Sequence, residues 1–278
     1  MGQLVKLFDY ISRYETDVFH YPSNFIRLKK KQWEYIKSLW EQGLWPDGKG
    51  GVEPIRAPDL KPKRTGFFKK LKNIRLYKER EFSLEEIQPT IESPFSFEEY
   101  QYLTTKKSIP TSLEDLKIYF LDEIFRVQIL WASSTLTERS YVDSSFLRDD
   151  RLKYFLQRFP DTYLFFYHPI FLLKKAPVEA ETFFITPSNI YIIAFLEEED
   201  DAIYLASDDR FWEKRTSEGR RKFLNPTISL MRTENIIKQL LLANDAEMPI
   251  TKIILSRNGL IDYPSVPFGL MIVDKKNY

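Results

Sequence analysis

The sequence predicts an α/β fold in which helices and strands alternate along the second half of the chain. Three observations lead to this prediction. A long amphipathic helix follows Pro110, apolar and β-branched segments occupy residues 163–206, and an Asn-Pro pair at residue 225 opens another helix. The resulting order is helix, strands, a central hairpin, helix and strand, which is typical of the α/β class.

The helices are predicted from apolar periodicity and from capping residues. Two amphipathic helices are expected near the N-terminus, over Gln3 to Tyr14 and about Asn24 to Gln42. Thr111 and Glu114 form a capping-box pattern in front of the long helix. A shorter helix is expected over Asp150 to Phe159. Asn225 as N-cap and Pro226 as first residue predict a last helix that ends near Leu242.

The strands are predicted from runs of apolar, aromatic and β-branched residues. The turn Thr186-Pro187-Ser188-Asn189 suits a tight hairpin, and the polar stretch Glu213 to Lys222 is expected to be a loop. The expected strands are Tyr163 to Leu173, Val178 to Ile185, Ile190 to Leu196, Ala202 to Ala206 and Lys252 to Leu255, with an edge segment at Leu270 to Val273.

Composition excludes several classes of protein. The 278 residues contain no Cys, which excludes disulfides, thiolate zinc sites and cysteine nucleophiles, and the two His (His20 and His168) leave little scope for imidazole chemistry. No phosphate loop or Gly-x-Ser-x-Gly elbow occurs. Because no apolar run has membrane-helix length and no signal-peptide core is present, we expect a cytoplasmic protein with no membrane partner.

The net charge of +1 conceals a basic region, because Arg27 to Arg80 holds sixteen Lys or Arg against six acids. We therefore predict a basic N-terminal region of helical and irregular structure at residues 1–110 and an α/β core at residues 111–278. The candidate nucleic-acid-binding residues are Lys61, Lys63, Arg64, Lys69, Lys70, Lys72, Arg75, Lys78 and Arg80.

The basic run has more than one interpretation. Its cations can neutralise phosphates, and Phe67, Phe68 and Tyr77 are available to stack on unpaired bases. The same aromatic residues are better explained as the buried face of a basic helix or strand. The cations can also pair with the acidic residues of Glu81 to Glu99 or with the acidic run at residues 197–201.

An ordered set of features lies between about residues 162 and 256. It comprises Glu181 before the hairpin, the Thr186-Pro187 turn, the strand Ile190 to Leu196, Trp212 and Asn225-Pro226. This set resembles the bacterial nuclease-related domain proteins, a branch of the PD-(D/E)XK or restriction-endonuclease-like superfamily. The resemblance implies a restriction-endonuclease-like mixed sheet flanked by helices.

The chain departs from that family at its catalytic positions. Ala194 stands where the family has a metal-binding Glu, and Leu196 where it has Lys, so the resemblance leaves Glu181 as the remnant catalytic residue. Asn189, Ser229 and Thr233 also differ from the usual residues. Strand alternation places residues 194 and 196 on one face and Glu197 on the other. The resemblance thus implies no bound metal and no cofactor.

These departures lead to one predicted function and two alternatives. We expect a catalytically degenerate nuclease-related protein that acts as a nucleic-acid-associated or partner-binding module, with DNA, RNA or a protein as its partner. The first alternative is an active nuclease that uses Mg²⁺ or Mn²⁺ with ligands displaced to Glu197 to Asp201, Asp208 or Asp209. The second is a protein-interaction module with no nucleic-acid role. The sequence does not indicate an oligomeric state.

Overall fold

A computed structural model describes residues 1–43 and 110–278, with the exception of residues 136, 139, 174, 175 and 198. One compact unit comprises Met1–Ser38 and Pro110–Tyr278; the second unit, Leu39–Ile109, lies almost entirely outside the described residues. The sequence-based division separated residues 1–110 from a core at 111–278. The structure instead groups the first 38 residues with that core.

Five α-helices are described, and side-chain caps mark where four of them begin, the first being Ser12 at α1. Ser112 and Asp115 form the capping box of α3, one residue after the predicted Thr111 and Glu114. Asp149 caps α4, and Asn225 caps α5 as predicted. The helices are α1 (Arg13–Thr16), α2 (His20–Glu41), α3 (Leu113–Trp131), α4 (Asp150–Arg158) and α5 (Pro226–Ala243), with a 3-10 turn at Ser144–Arg148 before α4.

The central element is a mixed six-stranded sheet in the order β1-β2-β5-β6-β10-β12. All of its strands run in one direction except β5, which is antiparallel to both neighbours. Its strands are β1 (Gln3–Leu7), β2 (Leu164–Tyr167), β5 (Thr182–Ile185), β6 (Ile190–Phe195), β10 (Ile250–Leu255) and β12 (Leu270–Val273). The mixed α/β class predicted from the sequence is therefore correct.

Two smaller sheets accompany the central one. A four-stranded sheet has the order β11-β7-β8-β9, and β3 pairs with β4 as a separate two-stranded ribbon. These strands are β3 (Ile170–Leu173), β4 (Ala176–Glu179), β7 (Ile203–Leu205), β8 (Phe211–Thr216), β9 (Gly219–Leu224) and β11 (Leu260–Asp262). The stretch Glu213 to Lys222, predicted as a loop, belongs instead to a hairpin. One face of this hairpin is polar, so the stretch has the composition of a loop, whereas Trp212 on the other face is buried.

The central sheet separates two apolar clusters. Residues of α3 and α4 pack on one face with Ile193 of β6, whereas α5 and the four-stranded sheet pack on the other with Ile192. Alternate residues of β6 therefore enter different cores, as regular strand geometry requires. The hairpin turn predicted after β5 is present, because Thr186 N–H and Oγ1 both donate to Asn189 O at 2.9 Å.

The predicted helix over Gln3 to Tyr14 is wrong. Its first residues form β1, which pairs in parallel with β2, and only Arg13–Thr16 is helical. Leu4 and Leu7 are spaced as on a helix face, but Val5 between them is also buried, since this short strand lies inside the core. Gln128 of α3 holds it there, accepting from Leu4 N–H at 2.5 Å and donating to Gly2 O at 2.6 Å. Within the described residues no helix combines the length and apolarity needed to cross a membrane.

Candidate functional site

The face of β6 that was predicted to carry a degenerate metal site is filled with apolar side chains. Ala194 and Leu196 do share this face, and they are 3% and 8% exposed. Both belong to the cluster that contains Leu230 and Ile237 of α5. Aliphatic packing therefore occupies the space beside these two positions.

Glu181 lies at the start of β5 and next to this face. The ladder between β5 and β6 ends at the pair Thr182 and Ile193, and Glu181 and Ala194 are the next residues on each chain segment beyond it. The backbone N–H of Glu181 donates to the buried Thr233 Oγ1 at 2.9 Å, which anchors the start of β5 to α5. Across the described ranges, no group of three or more His, Asp and Glu residues has the arrangement of a metal site.

The predicted nucleic-acid-binding residues belong to the basic run in the second unit. They lie outside the described residues, so their part in binding stays a prediction. They are Lys61, Lys63, Arg64, Lys69, Lys70, Lys72, Arg75, Lys78 and Arg80.

The two histidines have separate environments. His20 is exposed at the start of α2, and its Nε2 lies 2.5 Å from Asn24 Nδ2. His168 follows β2, stacks near Phe8 with 5.7 Å between ring centroids, and places Nδ1 3.4 Å from a carboxylate oxygen of Glu179. Each imidazole has its own polar partner, and neither lines the cavity described next.

A polar cavity of about 730 Å³ lies at the carboxyl edge of the central sheet, where β6 and β10 end and α4 begins. In α/β proteins this edge is the usual place for a ligand, because strand ends and helix N-termini present polar groups there. The cavity is lined by Ser145, Phe146, Asp149, Asp150, Arg151, Tyr154, Glu197, Arg257, Asn258 and Tyr278.

An ion pair between Glu197 and Arg257 connects the ends of β6 and β10 inside this cavity. Arg257 Nε donates to Glu197 Oε1 at 2.6 Å and Nη2 to Oε2 at 2.7 Å, while the Arg257 backbone N–H donates to Oε1 at 3.1 Å. The Glu197 side chain is only 5% exposed. This bidentate geometry fixes the guanidinium plane and raises the pKa of Arg257.

A second guanidinium approaches the same carboxylate. Arg151 Nε lies 3.9 Å from Glu197 Oε2, and its side chain is 40% exposed. Arg151 stacks over Phe195 at 5.4 Å, and Arg257 over Tyr154 at 5.5 Å. Each guanidinium has five N–H donors, so donors remain beyond those directed at Glu197. These aromatic contacts restrain the two guanidinium groups that line the cavity.

Two aspartates of the cavity lining differ in their hydrogen bonding. Asp149 Oδ1 accepts from the backbone N–H groups of Arg151 and Leu152 at 3.0 Å, and its Oδ2 accepts from Tyr167 Oη at 2.6 Å. Asp150 is exposed, and within the described part of the chain its carboxylate has no hydrogen bond or ion pair. Asp149 is thus committed to capping α4, whereas Asp150 is available to a ligand.

Two tyrosines complete the polar edge. Burial, followed by the hydrogen bond to Asp149, raises the pKa of Tyr167. Burial and the neighbouring Tyr154 raise the pKa of Tyr278 to about 12. Both phenols therefore keep their protons at neutral pH. Tyr154 and Tyr278 lie with 6.1 Å between ring centroids and give the cavity an aromatic side.

The acidic run at residues 197–201 connects β6 to β7, and several of its carboxylates have hydrogen-bond partners. Besides the buried Glu197, Glu199 accepts from Lys214 at 2.7 Å and Asp201 from Lys275 at 2.6 Å. Among the displaced ligands considered above, Asp208 accepts from Tyr263 Oη at 3.2 Å and lines a different cavity of about 150 Å³.

The chain is similar to a curated protein named RNA 2',3'-cyclic phosphodiesterase from Geobacillus stearothermophilus. The two are 38% identical over 128 residues, which is 46% of this chain and 36% of that protein. The chain thus matches about a third of its relative's length. No protein-family model matches the chain. No solved structure matches it either.

This similarity corrects the function predicted from the sequence. A catalytically degenerate nuclease-related module was expected from Ala194 and Leu196, but the curated relative is named RNA 2',3'-cyclic phosphodiesterase, which is the name of an enzyme. That prediction rested on the residues of one face of β6 alone. The polar groups at the end of this strand lie on the opposite face.

Sequence reasoning also missed the cavity, although a signal was present. Glu197 and Arg257 are the first charged residues after the two apolar strands β6 and β10. Had those strands been recognised as parallel neighbours, these residues would have been expected at one edge of the sheet. The sequence does not show this neighbour relation, because β7, β8, β9 and α5 lie between residues 197 and 257.

Proposed function

We propose that this chain is an RNA-processing enzyme that acts on the 2',3'-cyclic phosphate at the end of an RNA strand, within the 730 Å³ cavity. The similarity to the Geobacillus stearothermophilus protein is the observation that carries this proposal. The convergence of Arg151 and Arg257 at one polar edge supports it, because a phosphodiester needs fixed cationic donors.

In this proposal the two guanidinium groups bind the nonbridging phosphate oxygens. Arg257 is already oriented by Glu197, so little conformational freedom remains to be lost on binding. Arg151 is less constrained and supplies the second set of donors. Charge that accumulates on the phosphate oxygens during water attack is stabilised by the same donors.

Asp150 is the proposed general base. It accepts a proton from water as the water oxygen bonds to phosphorus, and one P–O bond of the five-membered ring breaks. The proton returns to the sugar oxygen that leaves, so the products are a hydroxyl and a terminal phosphomonoester. No step in this scheme is routed through a metal ion or a cofactor.

The aromatic side of the cavity is proposed to hold the terminal nucleotide. Tyr154 and Phe146 are lining residues with ring faces large enough to contact a base or a ribose. A base stacked there would keep the phosphate close to the two arginines. The proposed partner of the chain is therefore RNA.

The restriction-endonuclease-like form of the sheet is likewise proposed. The element order α4, β2, β5, β6, α5 and β10 reproduces the predicted helix, strands, hairpin, helix and strand. The position of Glu181 and Ala194 directly beyond the last pair of the β5–β6 ladder supports the same assignment. In this scheme the proposed chemistry uses the carboxyl edge of the sheet rather than the face that carries Ala194.

The test is hydrolysis of a 12-nucleotide RNA that ends in a 2',3'-cyclic phosphate. The product is identified by the mass of one added water and by its new sensitivity to a phosphomonoesterase. We expect Arg151→Gln to lower kcat/KM by about 10²-fold, the typical effect of losing one preorganised donor. We expect Asp150→Asn to lower kcat by about 10² to 10⁴-fold, since it removes the proton acceptor.

Two exposed residues outside the cavity lining serve as matched controls. Arg148→Gln removes a guanidinium three residues from Arg151, and Asp245→Asn removes a carboxylate after α5; both variants should keep wild-type rates. Activity should also persist in EDTA. The proposal is overturned if the wild-type protein leaves the cyclic phosphate intact with or without Mg²⁺ and Mn²⁺, or if Arg151→Gln and Asp150→Asn hydrolyse it at the wild-type rate.

A further inference from the structure

The β8–β9 hairpin carries a strongly basic surface, and the proposed reaction makes no use of it. Residues 210–224 contain six Lys or Arg and two Glu, a formal excess of four positive charges. The hairpin forms one side of the four-stranded sheet, and β9 is an edge strand of that sheet. This excess is therefore presented on regular structure rather than on a loop.

The register of the hairpin sorts its residues into two faces. Residues directly opposite each other in an antiparallel pair lie on the same face. One face contains Trp212, which is 1% exposed and packed in the apolar cluster. The other face, called here the β8–β9 face, consists of Phe211, Glu213, Arg215, Arg220, Lys222 and Leu224.

The cations of the β8–β9 face outnumber its single carboxylate. Glu213 lies 2.8 Å from Arg215 Nε and 3.7 Å from Arg220 Nη1, so one carboxylate is shared between two guanidinium groups. Lys222 is opposite Glu213 in the ladder and, among the described residues, has no ion pair within 4 Å. Arg210 adds a further cation beside the face, 5.6 Å from the Phe211 ring.

Apolar groups are exposed between these charges. Phe211 and Leu224 form a cross-strand pair, and they are 50% and 48% exposed. An exposed aromatic ring flanked by cations is the arrangement that binds single-stranded nucleic acid, since a base stacks on the ring while phosphates contact the cations. Double-stranded nucleic acid offers no such free base face.

Edge strands often carry charged residues for another reason, which is to prevent pairing with other sheets. That role requires charge on β9, but it does not require cations on β8 or an exposed Phe211 beside them. We propose that the β8–β9 face binds single-stranded nucleic acid, with Phe211 stacked on a base and Arg215, Arg220 and Lys222 on the phosphates. This binding is independent of the chemistry proposed for the cavity.

The probe is a fluorescein-labelled 20-nucleotide oligo(U) with a 3'-hydroxyl, which offers no cyclic phosphate to the cavity. Anisotropy titrations of the full chain are compared with R215Q/R220Q/K222Q at 50 to 200 mM salt. Loss of three phosphate contacts should reduce the slope of log K against log salt by about 2 and weaken binding roughly tenfold to a hundredfold. Phe211→Ala should weaken binding by about fivefold or more.

The matched controls remove equal charge and an equal ring from other exposed sites. K117Q/R232Q/K238Q and Phe19→Ala should bind like the wild-type protein, and R215K/R220K, which keeps the charge, should bind nearly as well. Circular dichroism checks that each variant is folded. Equal losses in the hairpin and control triples would overturn the proposal, as would displacement of oligo(U) by polyglutamate at equal charge concentration, which would indicate an acidic protein as partner. Unchanged binding with aggregation of the hairpin triple would assign the charges to edge protection and likewise overturn it.

Discussion

The two faces of β6 have very different surroundings, although the residues of the strand are apolar on both faces. On one face Ile192, Ala194 and Leu196 pack against α5 in a fully apolar core. On the other, Ile193 and Phe195 pack toward α3 and α4, and the next position in the alternation is Glu197 in the polar cavity. The sequence of β6 is apolar throughout, yet one of its faces lies in a packed core and the other leads to an ion-paired site. Adjacent residues of the strand belong to these different faces.

This difference shows how a missing motif can mislead. Ala194 and Leu196 stand where the resembling family has a Glu and a Lys, and the missing charges predict a protein without catalysis. The structure gives both positions a packing role instead, and it brings charge to the opposite face from three separate segments. Three substitutions test this difference between the packed side and the polar side of the sheet.

The first substitution introduces charge into the packed face. Ala194→Glu places a carboxylate where residue 194 is 3% exposed and surrounded by aliphatic side chains. We expect the free energy of unfolding to fall by about 4 kcal/mol or more, from overpacking together with the cost of burying an unpaired charge. Urea denaturation followed by circular dichroism measures the change.

Ala246→Glu is the matched control, because residue 246 is exposed after α5 and the same change should cost less than about 0.5 kcal/mol there. If Ala194→Glu were instead stable and gained further stability from Mn²⁺, the face would be a latent metal site beside Glu181. The description of it as a packed core would then be wrong.

The second substitution breaks the ion pair on the polar face. Arg257→Met leaves the Glu197 carboxylate, which is 5% exposed, with Arg151 at 3.9 Å as its remaining cation. Unpairing a buried charge is costly, and because Arg257 is itself partly exposed we expect a loss of about 2 to 3 kcal/mol. The double variant E197Q/R257M should recover part of that loss in the same urea experiment.

An additive double variant would show that the two side chains do not interact. As a control for the loss of an exposed arginine, Arg232→Met on α5 should change stability by less than about 0.5 kcal/mol.

The third substitution concerns pH. Burial raises the pKa of Tyr167, so above the unfolded value of about 10 the unfolded chain releases a proton that the folded chain retains. The stability that the neutral Tyr167 side chain contributes is fully present below that pH, and it is lost as the pH rises further. Tyr167→Phe should therefore weaken the alkaline decline in unfolding free energy, and it should cost about 1 kcal/mol at pH 7 through the lost bond to Asp149.

Urea denaturation at pH 8, 9, 10 and 11 gives the measurement. Tyr141→Phe is the control, because Tyr141 is 94% exposed and its removal should leave the pH dependence unchanged. Identical alkaline profiles for Tyr167→Phe and the wild-type protein would place the origin of the decline elsewhere in the chain.

Local patterns were sufficient for the elements whose own residues determine them. The Thr186–Asn189 turn, the Asn225 cap and the long helix after Pro110 follow from side chains that bond within a few residues of themselves. The β8–β9 hairpin and β1 did not follow from such patterns. The former is polar on its exposed face, and the latter has a spacing that a helix also satisfies.

What the sequence determined by itself is the α/β class, the alternation along β6 and hence the fact that Glu197 points away from Ala194. The tertiary structure decided which residues surround Glu197 on that other face. Glu197 meets Arg257 because β6 and β10 are parallel neighbours, and it meets Arg151 because α4 packs on the same side of the sheet. The physical reason is that a residue's own preferences act over a few positions, whereas a site at the edge of a sheet depends on which distant strands lie next to each other.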